Sequence, residues 1–338
     1  MNGTTPAAPS LTAGRYLITG GGGFIGSHFR SRVLAAGGEV VHLDLVPPRV
    51  MSADERFVRC DLTDPAAVRE AFKGLHLDGV LHAAARVGDW GRYDQFAKIN
   101  VDGTRHVLDA ALGVGARRVV CLSSIAAMGL DTREAADHTD PLIAAGDAYS
   151  VTKAEGERVA RSFQAEGAPV VVFRPGDVYG VGSVPWVLRP LEMLRRRQLL
   201  LVDGGRGHFA HTHVENLVDA VSLAMQHDRA NGKVWVLTDG DTGCTMGQYF
   251  TRLAEVTGLP APSRAVPRRV AHAVGFVLEH LAALTGKAPP ITRAAVAFMG
   301  RKGSFSIAPV KAELGWSPRV SLDDGMAELG RTYREASR

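Results

Sequence analysis

RYLITGGGGFIGSHF, residues 15–29, is an apolar run closed by four glycines and followed by an amphipathic segment. A strand, a tight turn and a helix start satisfy that order, because glycine alone adopts the positive φ values of such turns without steric cost. The same alternation continues downstream. RYLIT, EVVHLDL, RFVRCDL, GVLHAAA, RRVVCLSS and VVVFRPG are short apolar runs, and each precedes a segment with helical spacing of apolar residues. Strands alternating with helices at this interval build βαβ units, hence a parallel sheet covered on both faces. KVWVLTD at 233–239, after the helical VENLVDAVSLAMQ, extends that sheet.

From about residue 241 the chain changes character. TMGQYFTRLAEVTG and RRVAHAVGFVLEHLAALTG read as helices, and prolines at 260, 262, 267, 289 and 290 punctuate them. The expected fold class is therefore α/β, a Rossmann-type doubly wound parallel sheet with a smaller, mostly helical C-terminal substrate lobe. Residues 1–14 form a flexible lead; 15–185 with about 208–240 form the nucleotide-binding unit; about 186–207 with 241–330 form the lobe over the C-terminal strand ends, where such sheets bind ligands.

Two glycine registers fit a dinucleotide pyrophosphate, Gly21-x-Gly23-x-x-Gly26 and Gly20-x-x-Gly23-x-x-Gly26, with Phe24 and Ile25 in the first helical turn. Asp44 closes the second strand 18 residues after Gly26, placed to accept hydrogen bonds from an adenosine ribose. A carboxylate there repels a 2′-phosphate, so NAD is expected over NADP, with Arg49 as a minor complication. Asp61 and Leu62 are candidates to face the adenine, with helix capping by Asp61 as the alternative. The small residues Ala83, Ala84 and Ala85 leave room for the cofactor backbone.

GDAYSVTKAEGE, 146–157, sets Tyr149 and Lys153 one helical turn apart. Positions 149, 152, 153, 156, 160 and 163 share a face, and Gly156, Ala160 and Phe163 on that face predict close packing. A lysine there needs a polar partner such as a cofactor ribose. Its charge is expected to lower the Tyr149 pKa and make the phenol a workable proton carrier between alcohol and nicotinamide chemistry. Ser124, at the tip of the fifth strand, is placed to hold the substrate oxygen.

Together, the glycine turn, Asp44, HAAA, NVDGT (100–104), Ser124, Tyr149-x-x-x-Lys153 and RPGDVYG (174–180) resemble the extended short-chain dehydrogenase/reductases over nearly the whole chain. The resemblance implies Tyr149 as acid/base, Lys153 as ribose anchor, Ser124 as substrate-oxygen donor, Asn100 as structural or relay helper, and Pro175 near the nicotinamide. VGDWGRYDQFAKINV (87–101), HFAHTHVENLVDA (208–220) and residues 289–326 look most like the 3β-hydroxysteroid dehydrogenase and sterol-4α-carboxylate 3-dehydrogenase branch, which includes reductases of long-chain β-keto acids. That implies a secondary alcohol or ketone on a hydrophobic substrate, a sterol first, with decarboxylation of a β-keto acid product as a sequel. The alternatives are a nucleotide-sugar epimerase or dehydratase, against which no arginine-proline-acid stretch stands near the C-terminus, and an NAD-binding regulator without turnover. The superfamily suggests a homodimer.

Arg86, Trp90, Tyr93 and Trp186 are the substrate candidates, and the apolar residues 186–194 and 274–281 are either pocket wall or lobe core. At 338 residues, 46% hydrophobic and 22% charged, with a net charge of +4 spread along the chain, a globular protein is expected and nucleic acid is not. Three separated cysteines and no apolar leader point to a cytoplasmic chain. His211 and His213 share a strand face without a third ligand, so no metal is expected. The run 270–286 is broken by His272, Glu279 and His280 and cannot span a bilayer; a weak membrane-surface contact is its alternative to facing the core.

Overall fold

Each apolar run becomes a strand in the computed structural model, which describes residues 8–130, 132–240, 242–285 and 287–335. These are β1 (Arg15–Thr19), β2 (Glu39–Asp44), β3 (Glu55–Arg59), β4 (Gly79–His82), β5 (Val119–Leu122) and β6 (Val170–Pro175). Three short strands follow, β7 (Asp177–Tyr179), β8 (Leu200–Val202) and β9 (His211–His213), then β10 (Val234–Leu237) and β11 (Arg264–Val266). Seven of them make one parallel sheet in the order β10-β6-β5-β4-β1-β2-β3. The order reverses between β1 and β4, and a ligand crevice opens at such a switch point.

Alternation along the strands divides the core. Tyr16 and Ile18 face helices α1 (Phe24–Ala35), α7 (Val214–Gln226) and α11 (Ala308–Leu314), whereas Leu17 faces α2 (Pro65–Phe72), α4 (Gly103–Gly113) and α5 (Ala148–Ala165). A short α3 (Tyr93–Ala97) and one turn of π-helix, Lys98–Asp102, lead into α4. The lobe core is built from α6 (Arg189–Arg195), α8 (Met246–Thr257) and α12 (Leu322–Glu335), around Leu191, Tyr249, Phe250 and Leu329. The remaining helices are α9 (Arg268–Thr285) and α10 (Arg293–Met299).

Three details differ from the expected layout. Residues 1–7 of the lead lie outside the described residues, but the rest of it is tied down: Leu11 is in the core and the Ser10 carbonyl accepts from Gln226 Nε2 at 2.5 Å. Segment 305–316, assigned to the lobe, covers the nucleotide-binding sheet, with Val310, Leu314 and Trp316 packed into the same cluster as Trp235. A short parallel pair β8–β11 appears in the lobe expected to be mostly helical, and a second, β7–β9, pairs the strand that carries His211 and His213 with Asp177–Tyr179. Three-residue strands give too few alternations for periodicity to register.

Candidate active site

Gly20 has φ +71°, and a Cβ there would lie 2.9 Å from the Ala84 backbone. At Gly26 it would lie 2.3 Å from the Gly20 carbonyl, which locks α1 onto β1. Gly21 is equally constrained, by the His42 ring, so the turn needs glycine in both registers. The Gly23 N–H donates to the Gly20 carbonyl at 2.9 Å, and Gly23 begins α1 with no side-chain cap. The first-turn N–H groups at Phe24 and Ile25 therefore form an anion cradle, which fits a pyrophosphate. Asp44 stands half-buried at the end of β2, its Oδ1 accepting from the Leu45 N–H at 2.7 Å.

Asp61 and Leu62 differ in their surroundings. Asp61 does not cap α2; Asp64 does, accepting from Ala66 and Ala67, while Asp61 accepts from the Thr63 N–H at 2.9 Å and is exposed. The Leu62 side chain lies in the core and its carbonyl bonds His106 at 2.8 Å. Ala83, Ala84 and Ala85 are half-buried beside the glycine turn.

Beneath the alanines lies a relay of hydroxyls that the motif reading passed over. The Ala84 N–H donates to Thr19 Oγ1 at 3.2 Å, Thr19 Oγ1 meets His82 Nδ1 at 2.8 Å, and His82 Nε2 meets Thr104 Oγ1 at 3.0 Å. Thr104 spends its proton on the Asn100 carbonyl at 2.7 Å, so His82 must donate from Nε2 and accept at Nδ1, as a neutral imidazole. Burial accordingly pushes its pKa down to about 3, helped by the charge of Lys153. The first letter of HAAA was the available signal.

A test follows from the sign of that shift. Below pH 6.5 an unfolded histidine takes a proton that folded His82 refuses down to about 3, so stability drains as pH falls through that window. At about pH 5 the loss is ~2 kcal/mol. Denaturant unfolding should show His82→Gln losing less stability between about pH 8 and pH 5 than the parent does.

Asn100 sits on the π-helical turn, a local form that often marks function. Its Oδ1 accepts from the Arg86 N–H at 2.8 Å, and its Nδ2 donates to the Arg86 carbonyl at 3.0 Å and to Thr152 Oγ1 at 3.1 Å. The side chain thus clamps the loop after β4 to α5. Gly156 permits the approach, since a Cβ there would lie 2.3 Å from the Asn100 carbonyl oxygen. Gly156→Ala should therefore cost ~1–3 kcal/mol in thermal or denaturant unfolding, although alanine is the better helix former.

The face of α5 expected to be packed is so: Thr152, Lys153, Gly156 and Ala160 are buried and Phe163 packs on the same core. Asp147 caps the helix, accepting from the Ser150 N–H at 3.0 Å. Lys153 Nζ donates to the Leu122 carbonyl at 2.5 Å, and burial brings its pKa down to about 8. The half-buried Tyr149 shares a hydrogen bond with Ser124, which follows β5 and accepts from the Ala126 N–H at 3.1 Å. Here the electrostatics depart from expectation. Burial raises the Tyr149 pKa and the bond to Ser124 only partly offsets this, while the Lys153 ammonium donates to the Leu122 carbonyl. At neutral pH Tyr149 is therefore a phenol.

Behind Ser124 lies a second feature the motifs did not flag. Ser123 Oγ donates to Glu157 Oε2 at 2.7 Å, and buried Arg174 grips Glu157 with Nε at 2.9 Å and Nη2 at 2.8 Å. Burial raises the Glu157 pKa, but Arg174 more than cancels it and the net shift is downward. This pair ties β5, α5 and β6 together, and Pro175 follows Arg174 as a buried strand residue.

The substrate candidates divide. Trp186 stacks on Phe298 and meets Phe209 edge-on, with centroids 5.6 and 4.9 Å apart. Trp90 is half-buried in the loop after β4. Tyr93 turns elsewhere, its hydroxyl donating to Glu155 on the outer side of α5 at 2.5 Å. Arg86 lies over Phe96 and donates to Gln95, and Arg92 pairs locally with Asp94. Val187, Leu191 and Leu194 belong to the lobe core, but Val274, Phe276, Val277 and Leu281 are exposed and are neither core nor pocket wall. His211 bonds Asp239 and Thr242, and His213 bonds Glu328. Among the described residues no group of three potential ligands is arranged for a metal ion.

Comparison with known proteins finds that residues 16–237 match the family described as the NAD dependent epimerase/dehydratase family. A 2-alkyl-3-oxoalkanoate reductase of Stenotrophomonas maltophilia is 28% identical over 327 residues, covering 93% of this chain and 98% of that protein. Isoform 1 of the 3beta-hydroxysteroid-dehydrogenase/decarboxylase of Arabidopsis thaliana is 25% identical, covering 92% of this chain and 77% of that one. Among solved structures, MoeE5 in complex with UDP-glucose and NAD superposes with a TM-score of 0.76 at 25% identity, over 96% of this chain and all of that one.

Proposed function

The chain belongs to the NAD dependent epimerase/dehydratase family, and from that premise we propose that it is an NAD-dependent oxidoreductase that reduces a ketone on a hydrophobic β-keto acid. The carrying observation is Tyr149, held as a phenol beside Ser124 at the tip of β5. When bound, the cofactor supplies the hydride. The chain's residues do the rest: the Gly20–Gly26 turn and first-turn N–H groups of α1 hold the pyrophosphate, and Asp44 the adenosine ribose. Lys153 donates to the nicotinamide-side ribose, Ser124 holds the carbonyl oxygen, and Tyr149 gives its proton to that oxygen as it becomes an alcohol. Asn100 keeps the loop after β4 in place.

The resemblance put a sterol first. Similarity to the 2-alkyl-3-oxoalkanoate reductase over almost that protein's full length favours the acyl β-keto acid. Against a nucleotide sugar stands the lack of an arginine-proline-acid stretch near the C-terminus. The deciding assay offers a 2-alkyl-3-oxo acid and a 3-ketosteroid with NADH, and UDP-glucose with NAD, while absorbance is followed. Net NADH loss with the oxo acid supports the reading, loss with the ketosteroid alone restores the sterol, and UDP-glucose converted without net NADH change overturns both.

A further inference from the structure

The 18-residue helix α9 is packed inside out. Its buried residues are the small ones, Ala271, Gly275 and Ala282. A Cβ on Gly275 would meet the backbone at Thr292 and Arg293 at 3.2 Å, so the helix lies almost on the start of α10. Its large apolar residues face out: Val270, Val274, Val277, Leu281 and Leu284 are 45% to 85% exposed. Steps of four, three, four and three residues set these five in one stripe along the helix. A helix meant only for the core would reverse this arrangement.

One end of the stripe is strongly basic. Arg268 and Arg269 open α9, Arg264 precedes them on β11, and Arg264 pairs in register with Leu200, itself exposed and three residues after Arg197. None of these four arginine side chains forms an ion pair among the described residues, whereas Arg196 is held by Glu192. The one carboxylate on α9, Glu279, is held by Arg293 at 2.7 Å. An exposed apolar stripe bordered by free arginines matches an anionic lipid surface, where the apolar face enters the acyl boundary and the guanidinium groups meet phosphates. It suits a second copy poorly, since two such faces would bring like charges together with no free carboxylate to offset them.

We propose that α9 docks this protein onto the surface of an anionic bilayer, lying in the interfacial plane. The inner side of α9 leans on the start of α10, where Thr292 donates to Asp89 in the loop after β4 at 2.8 Å, and α10 carries the Phe298 on which Trp186 stacks. The proposal does not depend on the substrate, and the test reads it alone.

The full chain is centrifuged with vesicles of phosphatidylglycerol and phosphatidylcholine, and with phosphatidylcholine alone. Sedimentation with the first, weakened by salt, is expected. Val274→Asp/Leu281→Asp and, separately, Arg268→Glu/Arg269→Glu should each lower partitioning at least ~10-fold while NAD binding persists. Failure to sediment with either vesicle, equal binding to the neutral one, or unchanged partitioning of the aspartate variant overturns the proposal. So does a native dimer that becomes monomeric in that variant, which assigns the face to a second copy.

Discussion

Tyr149→Phe is expected to lower the single-turnover rate of ketone reduction by ~10²–10⁴-fold while NADH binds nearly as it does to the parent. The substitution keeps the ring, and with it the half-buried surface at the start of α5, and removes only the hydroxyl shared with Ser124. The two readouts must therefore part company. Burial holds the Tyr149 pKa above its usual value, so the parent keeps its proton through the neutral range. A variant that retained activity within about tenfold would remove Tyr149 from the proton step.

Arg174→Met should be the most damaging single substitution for stability, costing ~3–5 kcal/mol in denaturant unfolding, because it leaves the Glu157 carboxylate buried without its bidentate partner. Arg161, at 2.8 Å but partly exposed, and Ser123 remain as weak compensation. The guanidinium also donates to the Asp137 carbonyl at 3.3 Å, so the loop after β5 loosens with it. Because Ser123 adjoins Ser124, the damage should reach the site as a lower rate with little change in cofactor binding. Glu157→Leu/Arg174→Met should recover most of the stability, since an apolar pair carries no uncompensated charge. No recovery would mean that the pair acts through shape and not through charge.

How legible this was in the sequence depended on the physics behind each feature. The strands of the sheet were readable because β-branched runs between helical periods have few other ways to satisfy their backbones. Gly20 and Gly26 were readable because backbone approaches under 3 Å allow no Cβ. The close contact at Gly156 was foreshadowed by small residues on one face of α5. What escaped was set by tertiary contact. Thr19, His82 and Thr104 are dispersed over three elements, and only the β1–β4 pairing and the packing of α4 bring their hydroxyls and ring together. Arg174 read as the start of a family motif, while its burial against Glu157 depends on β6 lying beside α5. The expected lowering of the Tyr149 pKa gives way to a rise for a comparable reason. One helical turn places two side chains near each other, but how deeply the phenol is buried depends on the packing around it, and burial is what raises its pKa. On α9, periodicity found the stripe, yet periodicity alone does not say which side of an amphipathic helix meets the protein. Ala271, Gly275 and Ala282 gave the answer: the small residues face inward.

The central claim is that Tyr149, as a neutral phenol, gives the proton in a net reduction. Stopped-flow measurement of NADH absorbance in a single turnover with a 2-alkyl-3-oxo acid, from about pH 6 to 7.5 and so below the Lys153 pKa of about 8, tests this most directly. The account predicts a rate nearly independent of pH across that range and abolished in Tyr149→Phe. A rate that falls with a midpoint near neutrality, or one that survives in the phenylalanine variant, would contradict it.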